Sequence, residues 1–423
     1  MTELIAGELS EDQRREVQKR TLRILTTGQI IGAAALASAV TVGAFVVQDI
    51  LGSETSWGGI ATATVTTGTA VMAQVLSRMM MRKGRRPGLQ LGYALATVGA
   101  VTAAAGAETK SLPLFLIGLF LFGNGQASNL LARYAATDLA HPDERARSMS
   151  RIVFSSTFGA VFGPLLIAPA QAAGQNWFGL SKYTGPWLFS SIVLFAAFVN
   201  TALRLRPDPL VLAGGIKDKA DGKLPSIREA LAVVWSTERG RLALASMVVS
   251  QVTMVAVMTM TPVHMKLHGH ETLSQYVVSL HIAGMYAFSP FVGRFADRKG
   301  TLPAVLVGAG ILVASTVMAA LSGEAAVMLF PSLWLLGLGW NFGLIGGSAM
   351  LIESVPDDKR VTVQGSADLM MSFFGGMAGL SSGFIRKAVG YHMLSNAATI
   401  AGGLLLVGAF YAWRRWQFQV QPA

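Results

Sequence analysis

The chain has 423 residues, of which 52% are hydrophobic and 13% charged, with a mean hydropathy of +0.49 and a formal net charge of +11. A water-soluble domain carries roughly a quarter of its residues charged, so this balance excludes an ordinary soluble fold. The absence of cysteine excludes disulfide, zinc-thiolate and thiol-redox chemistry, and no basic face with groove-reading elements accompanies the positive charge, which excludes a nucleic-acid partner.

In chain order, the opening "MTELIAGELSEDQRREVQKR" is polar and mixed in charge. It lacks a short apolar core with a small-residue cleavage site, so 1–23 is expected to be a cytoplasmic segment without a cleaved signal peptide. Apolar runs of about twenty residues follow, the length a helix needs to cross a bilayer core. They lie near 24–48, 56–80, 88–107, 112–136, 150–173 and 185–203. A polar stretch at 204–240 interrupts them, with a short amphipathic helix expected around 226–238. Six more runs lie near 242–265, 276–292, 301–322, 325–350, 365–387 and 393–413. The expected fold is an all-α integral membrane protein of twelve transmembrane helices in two six-helix bundles, 24–203 and 241–413. A cytoplasmic linker, 204–240, joins them, and 414–423 forms a cytoplasmic tail. With the N-terminus inside, 29 of the 34 Lys and Arg fall on the cytoplasmic side and 5 on the other. That is the positive-inside bias, and it places both termini in the cytoplasm. The lipid bilayer is thus one partner, and a monomer is expected.

The halves repeat one another. Arg82-Lys83-Gly84 with Pro87 recurs as Arg298-Lys299-Gly300 with Pro303, and "HPDERAR" (141–147) recurs as "VPDDKRV" (355–361), at offsets of 216 and 214. Paired six-helix repeats are the architecture of major facilitator transporters. "GRFADRKG" (293–300) resembles that superfamily's signature loop, complete at Gly293, Asp297, Arg298 and Gly300. The glycine lets helices approach and the aspartate can hold a neighbouring helix end, so these residues are read as conformational gating. The first copy is degenerate, with Ser77 for the glycine and Met81 for the aspartate. Gly159-x-x-x-Gly163-Pro164 in the fifth span is similar to a motif of drug–proton antiporters. It reads either as gating or as plain close packing with a proline kink.

Ionisable groups at membrane depth are functional candidates by default. Asp49, Asp138, Glu353 and Asp368 fall at helix ends and Arg133 near the inner end of the fourth span, so no carboxylate is expected at mid-membrane. Sulfur and imidazole are there instead. Residues 253–270 hold four methionines and three histidines. Met254 and Met258 share one helix face, as do His281 and Met285 in the next span. Depth-matched positions in an outward and a returning helix have a constant total. Met258 with His281 and Met254 with Met285 both total 539, so the pairs form two facing rungs. Thioethers are soft neutral donors that suit Cu(I) better than Zn(II) or Fe(II). His281 must be neutral to ligate, so binding weakens as pH falls below its pKa. Pro262 loosens the helix just outside this set. Beyond it, Met260, His264, Met265, His268 and His270 form an outer collecting patch for the metal. The plain alternative is packing methionines and hydrogen-bonded histidines.

With these motifs on the page, the sequence resembles the CcoA-like copper transporters, a bacterial branch of the major facilitator superfamily. The likeness rests on Met254-x-x-x-Met258 and His281-x-x-x-Met285. "SLHIAGMYAFSP" (279–290), "RKGRRPGL" (82–89), "ARYAATDL" (132–139) and "GLGWNFGLIGGSAM" (337–350) support it. The resemblance implies copper binding at those four residues and import of copper for cytochrome oxidase assembly. It also implies a bacterial inner (plasma) membrane location and a cytoplasmic copper chaperone as a possible acceptor. Family members can carry functional cysteines, which this chain lacks. The reading is an alternating-access copper importer, not an enzyme, with copper as transported substrate and no cofactor. The alternative is a proton-coupled exporter of small hydrophobic organic molecules.

Overall fold

The computed structural model describes residues 10–51, 60–215, 226–323 and 326–420. The start of the expected span 56–80 and the middle of the expected linker lie outside the described residues. The described chain is helical throughout, as apolar runs in lipid must be, because a helix satisfies its backbone polar groups internally. Four long helices come first: α1 (Glu11–Leu51), α2 (Ile60–Lys83), α3 (Arg85–Glu108) and α4 (Leu112–Ala135). The fifth run is divided into α5 (Arg145–Leu165) and α6 (Ile167–Phe178), with the break falling between Pro164 and Pro169, residues that lack a backbone donor. Then come α7 (Thr184–Arg204), the short α8 (Pro209–Leu212), and α9 (Ile227–Ser236) in the place of the expected amphipathic helix.

The second half begins with α10 (Glu238–Leu267), which continues through Pro262. The eighth run is α11 (Glu271–Tyr286) followed by α12 (Ser289–Lys299), whose first turn holds Pro290. Next are α13 (Thr301–Ala320), α14 (Ala326–Glu353) and α15 (Arg360–Val420). Gly390, at φ 88°, breaks α15 between the two last expected spans. Nine segments among the described residues are long and apolar enough to cross a membrane. The last of them, Asp357–Trp416, contains two spans, and α1 and α5–α6 occupy the remaining two expected positions.

The chain forms two compact units. Unit 1 comprises 1–141, 151–227 and 357–369; unit 2 comprises 142–150, 228–356 and 370–423. Each therefore takes in a short segment from the other half of the sequence.

In unit 1, α3 and α4 meet backbone to backbone. A Cβ at Gly99 would stand 2.4 Å from the Phe122 nitrogen, and one at Gly118 2.4 Å from the Ala103 nitrogen. Small residues are how membrane helices approach when lipid gives no hydrophobic drive. Gly159 and Gly163 do the same against Ala34 of α1, at 2.6 Å and 2.4 Å, so close packing accounts for them; Pro164 lies in α5 and its side chain is outside the described residues. Arg85 is buried and grips Asp138 with two bonds of 2.8 and 2.9 Å. Asp208 accepts the backbone N–H of Arg85 and Arg86 and also caps α8.

The 357–369 segment is fastened here. Gln364 accepts from Arg85 at 3.0 Å, Ser366 donates to Gln74 at 2.9 Å, and Thr362 meets the Met81 sulfur. Arg133 donates to Asp368. Both are buried, so this carboxylate near a helix start is enclosed rather than solvated.

In unit 2, the Asp297 carboxylate accepts the N–H groups of Ala146 and Arg147 at 3.0 and 2.9 Å, capping α5. Gly293 lies against Ser150, where a Cβ would come within 2.3 Å of its hydroxyl. Arg298 is exposed, and Gly300 takes φ 99° ahead of α13.

Overpacking a backbone contact costs about 1–3 kcal/mol. Gly118→Leu is therefore expected to lower the thermal unfolding midpoint in detergent. Gly310→Ala, where an added Cβ meets nothing within 4 Å, is expected to leave it unchanged.

Candidate functional site

The four residues of the Met/His set lie in unit 2 on α10 and α11, which pack on each other and on α14. Met254 and Met285 are buried and Met258 is half-buried. His281 is wholly buried and turns toward α14, its Nδ1 2.8 Å from the carbonyl oxygen of Leu333. A carbonyl can only accept, so Nδ1 carries the proton and Nε2 carries the lone pair. Nε2 is buried and has no hydrogen-bond partner. Held by a backbone carbonyl and open at the other nitrogen, the neutral ring has the arrangement that binds a metal. The helix contact that makes this possible is again glycine-based. A Cβ at Gly337 would stand 2.3 Å from the His281 carbonyl oxygen, and one at Gly284 2.3 Å from that of Trp334.

Among the described residues no three His, Cys, Asp or Glu are arranged to hold a metal ion. The set itself offers three thioethers and a single imidazole, donor types that suit a soft monovalent ion rather than a hard divalent one.

The outer residues are less open than a collecting patch. Met260 and His270 are half-buried and Met265 is buried. The buried His264 ring stacks on Tyr391, centroids 4.3 Å apart, with Nε2 3.0 Å from the Gly323 carbonyl oxygen. His268 lies 4.4 Å from it ring to ring and donates Nδ1–H to the His264 carbonyl at 2.8 Å. His392 joins them, 5.8 Å from His264 and bonded through Nδ1 to the Ala320 carbonyl. Sequence reasoning missed His392; its approach depends on the break in α15 at Gly390, two residues earlier.

Sequence reasoning also missed an amide–aromatic group beside the set. Gln251, one helical turn before Met254, accepts the indole N–H of Trp340 at 2.7 Å. Tyr286 meets Trp340 edge-on at 5.9 Å. The signal was present in the i, i+3, i+7 spacing of Gln251, Met254 and Met258, which puts all three on one stripe.

Residues 25–380 match the family model described as Major Facilitator Superfamily. The chain belongs to the major facilitator superfamily. It is a multi-pass membrane transport protein rather than an enzyme. Among its relatives, the uncharacterized MFS-type transporter YdeG of Bacillus subtilis (strain 168) is 37% identical over 94% of this chain and 91% of its own. The riboflavin transporter RfnT of Brucella anthropi is 28% identical over 86% of this chain and 90% of its own. The fold is shared with the human organic anion transporter MFSD10, at TM-score 0.71 and 15% identity over 93% of this chain and 99% of that one. It is shared also with a bacterial homologue of the iron transporter ferroportin in an outward-facing state, at TM-score 0.70 and 13% identity over 92% and 98%.

The Nδ1 proton assignment is testable by ¹⁵N NMR of ring-labelled protein. His281 is expected to show a protonated Nδ1 and an unprotonated Nε2 that shifts on addition of Ag(I). A proton on Nε2 would remove the ligand.

Proposed function

We propose that this transporter carries Cu(I), bound by Met254, Met258, His281 and Met285, and imports it by alternating access. The observation that carries the reading is the buried, partnerless Nε2 of His281, on a helix that packs against α10, the helix of Met254 and Met258. An orphaned buried acceptor is costly unless something occupies it. A neutral ligand set leaves a monovalent ion with one positive charge, less costly in an apolar site than two. We place both termini in the cytoplasm from the positive-inside bias, and the protein in a bacterial plasma membrane from its resemblance to the copper transporters. Imported copper would pass to a cytoplasmic chaperone and on to cuproenzymes such as cytochrome oxidase.

A second reading has its own support. A relative that aligns with most of the chain is a riboflavin transporter, and Trp340, Tyr286 and Gln251 offer faces and an amide to a planar heterocycle. Proton-coupled export of hydrophobic molecules, the remaining alternative, rests on Gly159, Gly163 and Pro164, where close packing with α1 already explains both glycines.

Proteoliposomes loaded with a Cu(I) chelator separate these. Labelled copper is expected to enter, and Met258→Ala or His281→Ala to slow entry about tenfold or more, since even residues that merely orient metal ligands are worth about 10–100-fold. Labelled riboflavin is expected not to enter. Riboflavin uptake that falls on Trp340→Ala, with no copper entry, would establish the second reading instead.

A further inference from the structure

Repeat symmetry lets the two fastened segments be compared residue by residue. At offsets of 215 or 216, Ser77 corresponds to Gly293, Met81 to Asp297, Arg85 to Thr301, and Asp138 to Glu353. The start of α15 corresponds to the start of α5. In unit 2, Gly293 faces Ser150, and Glu353 accepts the Thr301 hydroxyl at 3.0 Å. In unit 1, Ser77 faces Gly365 with the small and hydroxylated partners exchanged, and Asp138 holds Arg85. The aspartate cap is the contact that does not recur. Met81 offers Thr362 a thioether where Asp297 offers the start of α5 a carboxylate.

A different carboxylate serves unit 1. Asp368, two turns into α15, pairs with Arg133 of α4. The corresponding residues in the other repeat are Val153 and Ser348, neither of them ionisable. The pair is unevenly provided. Arg133 also donates to the Leu130 carbonyl at 2.6 Å and to the Tyr134 hydroxyl at 3.1 Å, and lies 4.3 Å over the Tyr134 ring. Asp368 is fully enclosed, yet its Oδ2 has no hydrogen-bond partner. Arg133 and Tyr134 are the charged and titratable groups that act on it, and Tyr134 also hydrogen-bonds the carboxylate through its side chain, which leaves Oδ2 as the open oxygen. Arg85 and Asp138 form their own pair one turn earlier through Gln364, and α2 contributes the neutral Gln74, Ser77 and Met81.

We propose that Asp368 is the proton-binding site of this transporter: a proton added at Oδ2 dissolves the ion pair with Arg133 and frees the start of α15 from α4. One O–H bond forms and nothing leaves, so the site gains one positive charge. That charge stays on Arg133, which keeps the Leu130 carbonyl, the Tyr134 hydroxyl and the ring face as partners. A transport cycle in which the start of α15 leaves α4 thereby takes up one proton at this residue. The inference rests on the chain being a transporter of this superfamily and not on copper being its substrate.

The test uses purified full-length protein in lipid nanodiscs, titrated with acid and followed by infrared difference spectroscopy and amide hydrogen exchange. A protonated-carboxyl band is expected to grow as pH falls, to be absent in Asp368→Asn and to persist in Asp297→Asn. In Arg133→Gln it is expected at a pH higher by about 1 unit or more, because an opposite charge at contact range favours the ionised carboxylate by that much. Exchange in peptides covering 357–369 is expected to quicken about tenfold or more with acid, and to be fast at every pH in Asp368→Asn, as loss of a buried pair implies. If Asp368→Asn does not fold, the shift in Arg133→Gln decides. A band indifferent to these substitutions, or exchange at 357–369 that is flat with pH in the wild type, overturns the proposal. No substrate is added, so a failure of copper uptake leaves these readouts standing.

Discussion

Close approach of helix backbones is the constraint on which the rest depends. Lipid tails are as apolar as any side chain, so helices in a bilayer gain little from hiding leucine and associate instead through packing at small residues. Gly284 and Gly337 bring α11 onto α14 until the Leu333 carbonyl reaches the His281 ring. That hydrogen bond is worth only about 0.5–1.5 kcal/mol net. Its larger consequence is chemical, because it decides which nitrogen bears the proton and so makes His281 an acceptor on its free side. A bulkier residue at either glycine would move the ring and the tautomer together.

Much of this was legible in the sequence. A run of twenty apolar residues has one stable form in lipid, so all twelve spans are helical in the described residues, and the glycine that divides the last two stands where the apolar pattern pauses. Face-sharing within α10 and within α11 was legible too, because it follows from helical period alone. Partners across helices were not. His281 and Met285 share one helix face, but nothing in their spacing says that the imidazole turns to a carbonyl of α14. His392 reaches His264 only through a break in a helix more than a hundred residues away in sequence. Asp368 sits near a helix start, a place normally wetted, yet it is buried and pairs with Arg133 of α4.

The stripe of α10 that carries Gln251, Met254 and Met258 has an amide at one end and thioethers at the other. A planar heterocycle would use the amide end with Trp340 and Tyr286; a soft cation would use the sulfur end with His281. Both would use the imidazole. A monovalent ion takes its lone pair as a neutral donor that replaces part of a hydration shell without adding charge, and a heterocycle with a ring N–H would donate a hydrogen bond to it. The thioethers are what distinguish the two, since they are soft metal donors and weak hydrogen-bond acceptors.

The two repeats solve one problem with different chemistry. Asp297 holds the start of α5 by charge against a helix N-terminus, an interaction of about 0.5–2 kcal/mol in such caps. Arg133 and Asp368 hold the start of α15 by ion against ion in an enclosed site, where removing one partner costs about 3–5 kcal/mol. That figure is the cost of stranding a buried charge rather than the strength of the pair. Separating the two ions inside the enclosed site would therefore carry such a cost unless a charge is cancelled as they part. Protonation of a carboxylate does this, and among the described residues the buried Arg133–Asp368 pair lies at the junction where Met81 stands in place of a capping aspartate.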